Sequence, residues 1–120
     1  MRIIVLGAGN VGRAVVEALH DEHELTVIDT DADRLSALGD RYDVRTVEGN
    51  GTTKRVMREA QVEDASLLIA CSPREDANLV SAMLARKLSR ARVIVRTSSP
   101  EYLEAWRERE IGRASCRERV

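Results

Sequence analysis

Long apolar runs are missing from this 120-residue chain: none approaches the roughly 18–20 residues that a membrane span requires, and the N-terminus lacks a signal-peptide pattern. An excess of one charge is missing too. Nineteen basic and 20 acidic residues are mixed along the sequence and leave a net −1, which argues against a basic groove for nucleic acid. Cysteine is scarce, and Cys71 and Cys116 stand far apart with no C-x-x-C and no metal-ligand spacing. A reduced, cytosolic protein is therefore expected, with neither a disulfide scaffold nor a metal site. Lysine is nearly absent beside arginine, two against seventeen, which reads as a GC-rich genome rather than a phosphate-binding specialism. What remains, 43% hydrophobic and 32% charged, is the composition of a globular chain long enough for the core of one domain. Repeats, low-complexity linkers and internal boundaries are absent.

Short apolar runs alternate with helical patterns. Arg2–Leu6, Leu25–Ile28, Val44–Val47, Ser66–Cys71 and Arg92–Val95 read as strands, the third the weakest. Between them Asn10–His20, a segment from Asp31 to about Asp40, Thr53–Ala60 and Asp76–Leu88 read as helices, and Pro100 starts another carrying Tyr102, Leu103 and Trp106. Such alternation predicts an α/β fold: a Rossmann-like, doubly wound parallel sheet of about five strands covered on both faces.

The informative motif lies at the first strand–helix turn. Gly7-Ala8-Gly9-Asn10-Val11-Gly12 is G-x-G-x-x-G, placed after a strand and opening a helix, and Asp29 ends the next strand 22 residues beyond Gly7. Gly7 would permit the tight turn, Gly9 the close approach of backbone to a pyrophosphate, and Gly12 the packing of helix on strand. The helix N-terminus then offers free N–H groups and a positive dipole end to phosphate. Asp29 would accept hydrogen bonds from ribose hydroxyls and repel a 2′-phosphate, favouring NAD(H) over NADP while accepting ATP or ADP as well. The competing reading leaves the glycines to turn and packing alone and Asp29 solvated.

Other residues fall near the same edge of the sheet. Asn50, in Gly49-Asn50-Gly51-Thr52, either meets an adenine edge or ribose or serves an ordinary turn. Asp76 is a natural N-cap for its helix. Arg96 contacts phosphate or, with slight preference, pairs with a nearby carboxylate, and Arg13 points to solvent. Cys71 reads as a buried strand residue rather than a reactive thiolate. His20 and His23 sit at the far end of the sheet from the crevice. Neither Tyr42 nor Tyr102 has a lysine four residues on, so no acid–base group for hydride-transfer chemistry is evident and no catalytic residue is assigned.

Taken in order, the glycine motif, Val27-Ile28-Asp29, Glu48-Gly49-Asn50-Gly51-Thr52, Asp76-Ala77-Asn78-Leu79 and Val95-Arg96 resemble the TrkA-N domain, also called RCK or KTN, over residues 1–109. The resemblance implies a cytoplasmic regulatory domain, peripheral to the inner face of the cell membrane, that binds NAD(H) or adenine nucleotides. It would gate a membrane potassium-translocating partner as a homodimer assembled into a ring, with no nucleic acid involved. Position by position it implies that Gly7, Gly9, Asn10, Val11 and Gly12 hold the phosphates and that Asp29 holds the ribose. Asn50 lies by the adenosine, where many members have Asp, and Arg96 reaches toward phosphate or an adjacent subunit. The alternative is the cofactor-binding N-terminal part of an NAD-dependent oxidoreductase; a structural domain without ligand is a third reading. Residues 110–120 are similar to the in-frame translation of a sequencing-library adapter, so the domain is expected to end at 109, with 110–120 a non-native tail. On that reading the sixth strand of the fold is missing and the last strand presents an open edge.

Overall fold

Arg2–Leu6 forms β1, and four of its five residues are buried because helices cover both of its faces. Around it β2 (Glu24–Asp29), β3 (Arg45–Glu48), β4 (Leu67–Ala70), β5 (Arg92–Arg96) and β6 (Cys116–Arg119) complete a sheet in the order β3-β2-β1-β4-β5-β6, every pair parallel. The structure, a computed structural model, describes residues 1–101, residue 104 and, as backbone, residues 116–119. Helices α1 (Asn10–Leu19), α2 (Ala32–Arg41), α3 (Lys54–Glu59) and α4 (Glu75–Leu88) return the chain between strands, with one 3-10 turn at Val62–Asp64.

Alternate residues of β1, β2, β4 and β5 feed two cores. On one face Ile4, Leu6, Ile28, Leu68, Val93 and Val95 pack with Val56 and Met57 of α3 and Ala82 and Ala85 of α4. On the other, Ile3, Val5, Val27 and Ile69 pack with Val16 of α1 and Leu35 and Leu38 of α2. This two-sided burial is why the strands read as unbroken apolar runs.

Each helix start has a local cause. The Asp31 side chain caps α2 by accepting from the N–H groups of Asp33 at 2.9 Å and Arg34 at 3.2 Å, and Thr53 caps α3 through Val56 N–H at 3.4 Å. Helix α4 has no side-chain cap but carries Glu75 and Asp76 in its first turn, where carboxylates complement the helix dipole. Asp76 is thus not the N-cap expected of it. Arg74 holds that position, the helix beginning one residue earlier than the pattern suggests, and the Asp76 carboxylate accepts instead from Arg74 Nη2 at 3.1 Å.

A second difference concerns the edge. In place of a missing sixth strand, the backbone of Cys116–Arg119 pairs with Val93–Arg96 of β5. A parallel ladder is made of main-chain N–H and C=O groups, so an unpaired edge accepts a segment whatever its side chains. The helix expected from Pro100 does begin there, while Tyr102, Leu103 and Trp106 lie outside the described residues.

The ends of β4 and β5 are joined by one fully buried side chain. Asn78 Oδ1 accepts from Ser72 N–H and Ser72 Oγ, each at 2.9 Å, and Asn78 Nδ2 donates to the carbonyls of Ser72 at 2.9 Å and Arg96 at 3.0 Å. All of its amide's capacity for these neighbours is used, and removing it strands three backbone groups. Asn78→Ala is expected to lower stability by about 2–4 kcal/mol in urea denaturation. A loss below about 1 kcal/mol would show that water replaces the amide.

Candidate functional site

The turn after β1 runs toward the switch point between β1 and β4, where the sheet order reverses and ligands of such sheets bind. Gly7 has φ +111° and donates its N–H to the Ile28 carbonyl at 2.8 Å; a Cβ there would stand 2.9 Å from Ser72 Cα. At Gly12 a Cβ would lie 1.8 Å from the Gly7 carbonyl oxygen, so α1 seats directly on the turn it leaves. Gly9 is different. Outside its own chain neighbours, a Cβ at Gly9 would meet a single atom within 4 Å, Arg34 Nη1 at 3.8 Å. Two of the glycines are therefore demanded by the turn and its packing, and Gly9 is not. Its bare face opens outward beside the N-terminus of α1.

That N-terminus has no side-chain cap and no acid in its first turn, unlike those of α2, α3 and α4. Among the described residues no side chain accepts from its first N–H groups, which suits them and the dipole to an anionic ligand.

Asp29 stands at the end of β2 with both oxygens on backbone. Oδ2 accepts from Ala8 N–H at 2.7 Å and Oδ1 from Asp31 N–H at 2.8 Å. One carboxylate thus ties the glycine turn to the start of α2. Each oxygen keeps a further lone pair, the capacity that a vicinal ribose diol needs. Asp29 lines a cleft of about 170 Å³ with Gly7, Thr30 and Arg34, the loop Gly49–Thr52, and Ser72, Pro73 and Arg74. Asn50 belongs to it. Its Oδ1 accepts from Thr52 N–H at 2.9 Å and Thr52 Oγ at 2.6 Å, closing the loop on itself, while no described residue hydrogen-bonds its Nδ2. The turn role of Asn50 is thus in place and its amide donor remains for adenine or ribose.

The remaining expected residues do not all converge. Asn10 and Val11 are exposed on α1 outside the cleft, Val11 over an apolar groove with Val15 and Ile94, and Arg13 is exposed as expected. Arg96 lies beyond Pro73, in an adjoining cleft of about 290 Å³ with Glu75, Thr97 and Ser98. It forms no ion pair among the described residues, contrary to the preference for a salt bridge. The carboxylate that faces it across that cleft, Glu75, is engaged elsewhere: Oε1 accepts from Thr97 Oγ1 at 2.6 Å, from Ser98 N–H, and from Ser99 N–H at 3.1 Å. These hydrogen bonds, that of Thr97 foremost, hold the Glu75 carboxyl below its ordinary 4.5. Cys71 is buried under the turn, its thiol pushed up to about 11 by that burial despite the nearby Arg96, and so is not a thiolate nucleophile.

Sequence reasoning passed over Arg34 and, though it placed the segment 72–78 at this edge of the sheet, gave Arg74 no role; the two bring guanidinium groups to the Asp29 cleft. Arg34 carried a usable signal: as the third residue of α2 it lies in the turn that faces the C-terminal edge of the sheet. His20, its ring tilted against that of Tyr42 with centroids 4.8 Å apart, and His23 line no part of this cleft. Among the described residues no cluster of three metal-ligating side chains occurs, and no helix is long and apolar enough to cross a membrane.

A parallel sheet in this strand order, a glycine turn with one outward-facing bare position, an uncapped helix start and an acid ending β2 define a Rossmann-type nucleotide-binding domain. Comparison with known proteins narrows the class. The TrkA-N domain family matches residues 3–115, and the chain belongs to that family. It is 44% identical over 105 residues to the Trk system potassium uptake protein TrkA of Halomonas elongata, a match covering 86% of this chain and 23% of that protein. The chain therefore spans about a quarter of that relative's length. Among solved structures it superposes on the TrkA-N domain of the inner membrane protein ybaL from Escherichia coli with a TM-score of 0.84 and 26% identity, covering 99% of this chain and 85% of that one. The GsuK channel bound to NAD shares the fold at a TM-score of 0.79 and 20% identity, covering 97% of this chain and 21% of the channel chain.

The difference between the glycines is testable. Gly12→Ala is expected to abolish cooperative folding, because backbone occupies the place of the new methyl. Gly9→Ala is expected to leave the melting temperature within about 2 °C of the parent while weakening nucleotide binding, since little but solvent meets its Cβ. A Gly9→Ala chain that melts far lower would return that glycine to a packing role.

The Glu75 contacts carry a pH dependence. Because folding depresses this carboxyl, its stabilisation is present above its unfolded value near 4.5 and is lost as pH falls through the lower, folded value. In urea melts, the parent should exceed Glu75→Gln in stability at pH 7, and the gap should close below pH 4.5. A gap that stays constant with pH would rule the charge out as its source.

Proposed function

We propose that residues 1–109 are the nucleotide-binding regulatory domain of a potassium-uptake system. The domain senses NAD(H), or alternatively ATP or ADP, and gates a membrane potassium-translocating partner from the cytoplasmic side as part of a homodimer assembled into a ring. The observation that carries nucleotide binding is Gly9: a glycine the fold does not need, bare toward an uncapped helix start and next to Ala8, whose N–H the Asp29 carboxylate holds. Family membership and the likeness to TrkA support the link to potassium transport, and the GsuK channel offers an NAD-bound example of the same fold.

In this reading Gly9, Asn10, Val11 and Gly12 present backbone N–H groups to phosphate, while Gly7, whose own N–H is taken by the Ile28 carbonyl, makes the turn that brings them there. Asp29 takes the ribose hydroxyls and Asn50 the adenosine. Arg96, set in the adjoining cleft, would reach only the distal part of a dinucleotide. Among the described residues that line the Asp29 cleft there is no histidine, tyrosine, lysine or cysteine, and this favours a regulator over the oxidoreductase alternative.

Calorimetric titration of the chain with NADH, NAD, ATP, ADP and NADPH tests the reading. Micromolar binding of NADH or an adenine nucleotide is expected, with NADPH weaker through repulsion of its 2′-phosphate by Asp29. Asp29→Ala should cost roughly 1–3 kcal/mol of binding free energy, the worth of charge-assisted hydrogen bonds. Equal affinity for NADH and NADPH, unchanged in that variant, would remove Asp29 from the site.

A further inference from the structure

The Asp29 carboxylate accounts for a ribose and the α1 start for one phosphate edge, yet the cleft also holds a cation that neither role explains. Arg34 extends from the first turn of α2 across the mouth of the cleft. Its Nη1 comes within 3.8 Å of where a Cβ on Gly9 would stand, 25 positions away in sequence. Among the described residues its one ion pair is a long one, Nε to Asp31 Oδ2 at 3.6 Å, with about half of each side chain exposed. Such a pair is weak and leaves the two Nη groups uncommitted. A guanidinium held over a bare glycine and a helix start is placed to close on whatever lies against that glycine.

Resting on the nucleotide reading above, we propose that Arg34 is the phosphate-reading residue of this site: its Nη groups clasp the phosphates from the side opposite the α1 N–H groups. The site then selects nucleotides that carry phosphate at the 5′ position over the bare nucleoside. The fork geometry of the guanidinium suits two phosphate oxygens at once, which an ammonium group does not match. Aspartate and arginine on neighbouring turns thus divide the ligand, the carboxylate taking the sugar hydroxyls and the guanidinium taking the phosphates.

The test compares adenosine, AMP, ADP and NADH on the parent chain and on Arg34→Ala, Arg34→Gln and Arg34→Lys, by calorimetry at low and at high salt. Arg34 is exposed, so all three variants are expected to fold with the parent's melting temperature. Expected is a roughly 10–100-fold loss of ADP and NADH affinity in Arg34→Ala and Arg34→Gln, the range for a lost charge-assisted contact, with adenosine affinity unchanged. Arg34→Lys should keep part of the affinity, and the parent's advantage should shrink as salt screens the charge. Equal losses for adenosine and ADP would overturn the proposal, placing Arg34 against the base; so would phosphate ligands that bind every variant as they bind the parent. A parent chain that binds none of the four would instead defeat the nucleotide reading on which this one stands.

Discussion

The contact between Gly12 and the Gly7 carbonyl is the constraint from which the rest of the site follows. No side-chain atom fits between them, so α1 leaves the central strand at one angle and one distance. The Asp29 carboxylate locks the same turn from the β2 side through Ala8 N–H. With the helix start placed in this way, its unmet N–H groups face the edge of the sheet where the strand order reverses. Had α1 begun one residue later, its first turn would rotate by about 100° and its donors would point elsewhere.

A second set of polar contacts performs the matching task on the other side of the switch point. Asn78, in the first full turn of α4, holds the backbone of Ser72 beside Gly7 and at the same time the end of β5. Glu75, one turn earlier, gathers the residues that follow β5 onto the same helix. The floor of the cleft and the exit of β5 are thereby parts of one hydrogen-bonded unit. A ligand that displaced Ser72 would act on both, a physical link between an occupied cleft and the chain that leads away from it.

Several polar side chains in the cleft serve the loop and face the ligand position together. Asp29 binds two backbone N–H groups and keeps lone pairs in hand; Asn50 closes its own turn and keeps an amide donor. Such groups are ordered before a ligand arrives, which reduces the entropy lost on binding. Arg34 and Arg74 are the exceptions: among the described residues their side chains are held by exposed ion pairs and can adjust.

Much of this was legible in the sequence. Strands buried on both faces must be short continuous apolar runs, so β1, β2 and β4 stood out. Glycine, aspartate and threonine mark turns and caps through local backbone chemistry, so the starts of α2 and α3 and the tight turn at Gly7 were readable. Asp29 was legible because a strand, a helix and a second strand of ordinary length place it at the mouth of the first turn. The tertiary structure alone decided the rest. It brought Arg34 to Gly9 and Asn78 to Arg96, left Arg96 without a carboxylate partner among the described residues, put Arg74 rather than Asp76 at the head of α4, and filled the edge beside β5. The physical reason is range: periodicity and turn chemistry act over a few residues, whereas these contacts join residues brought together by the order of strands in the sheet.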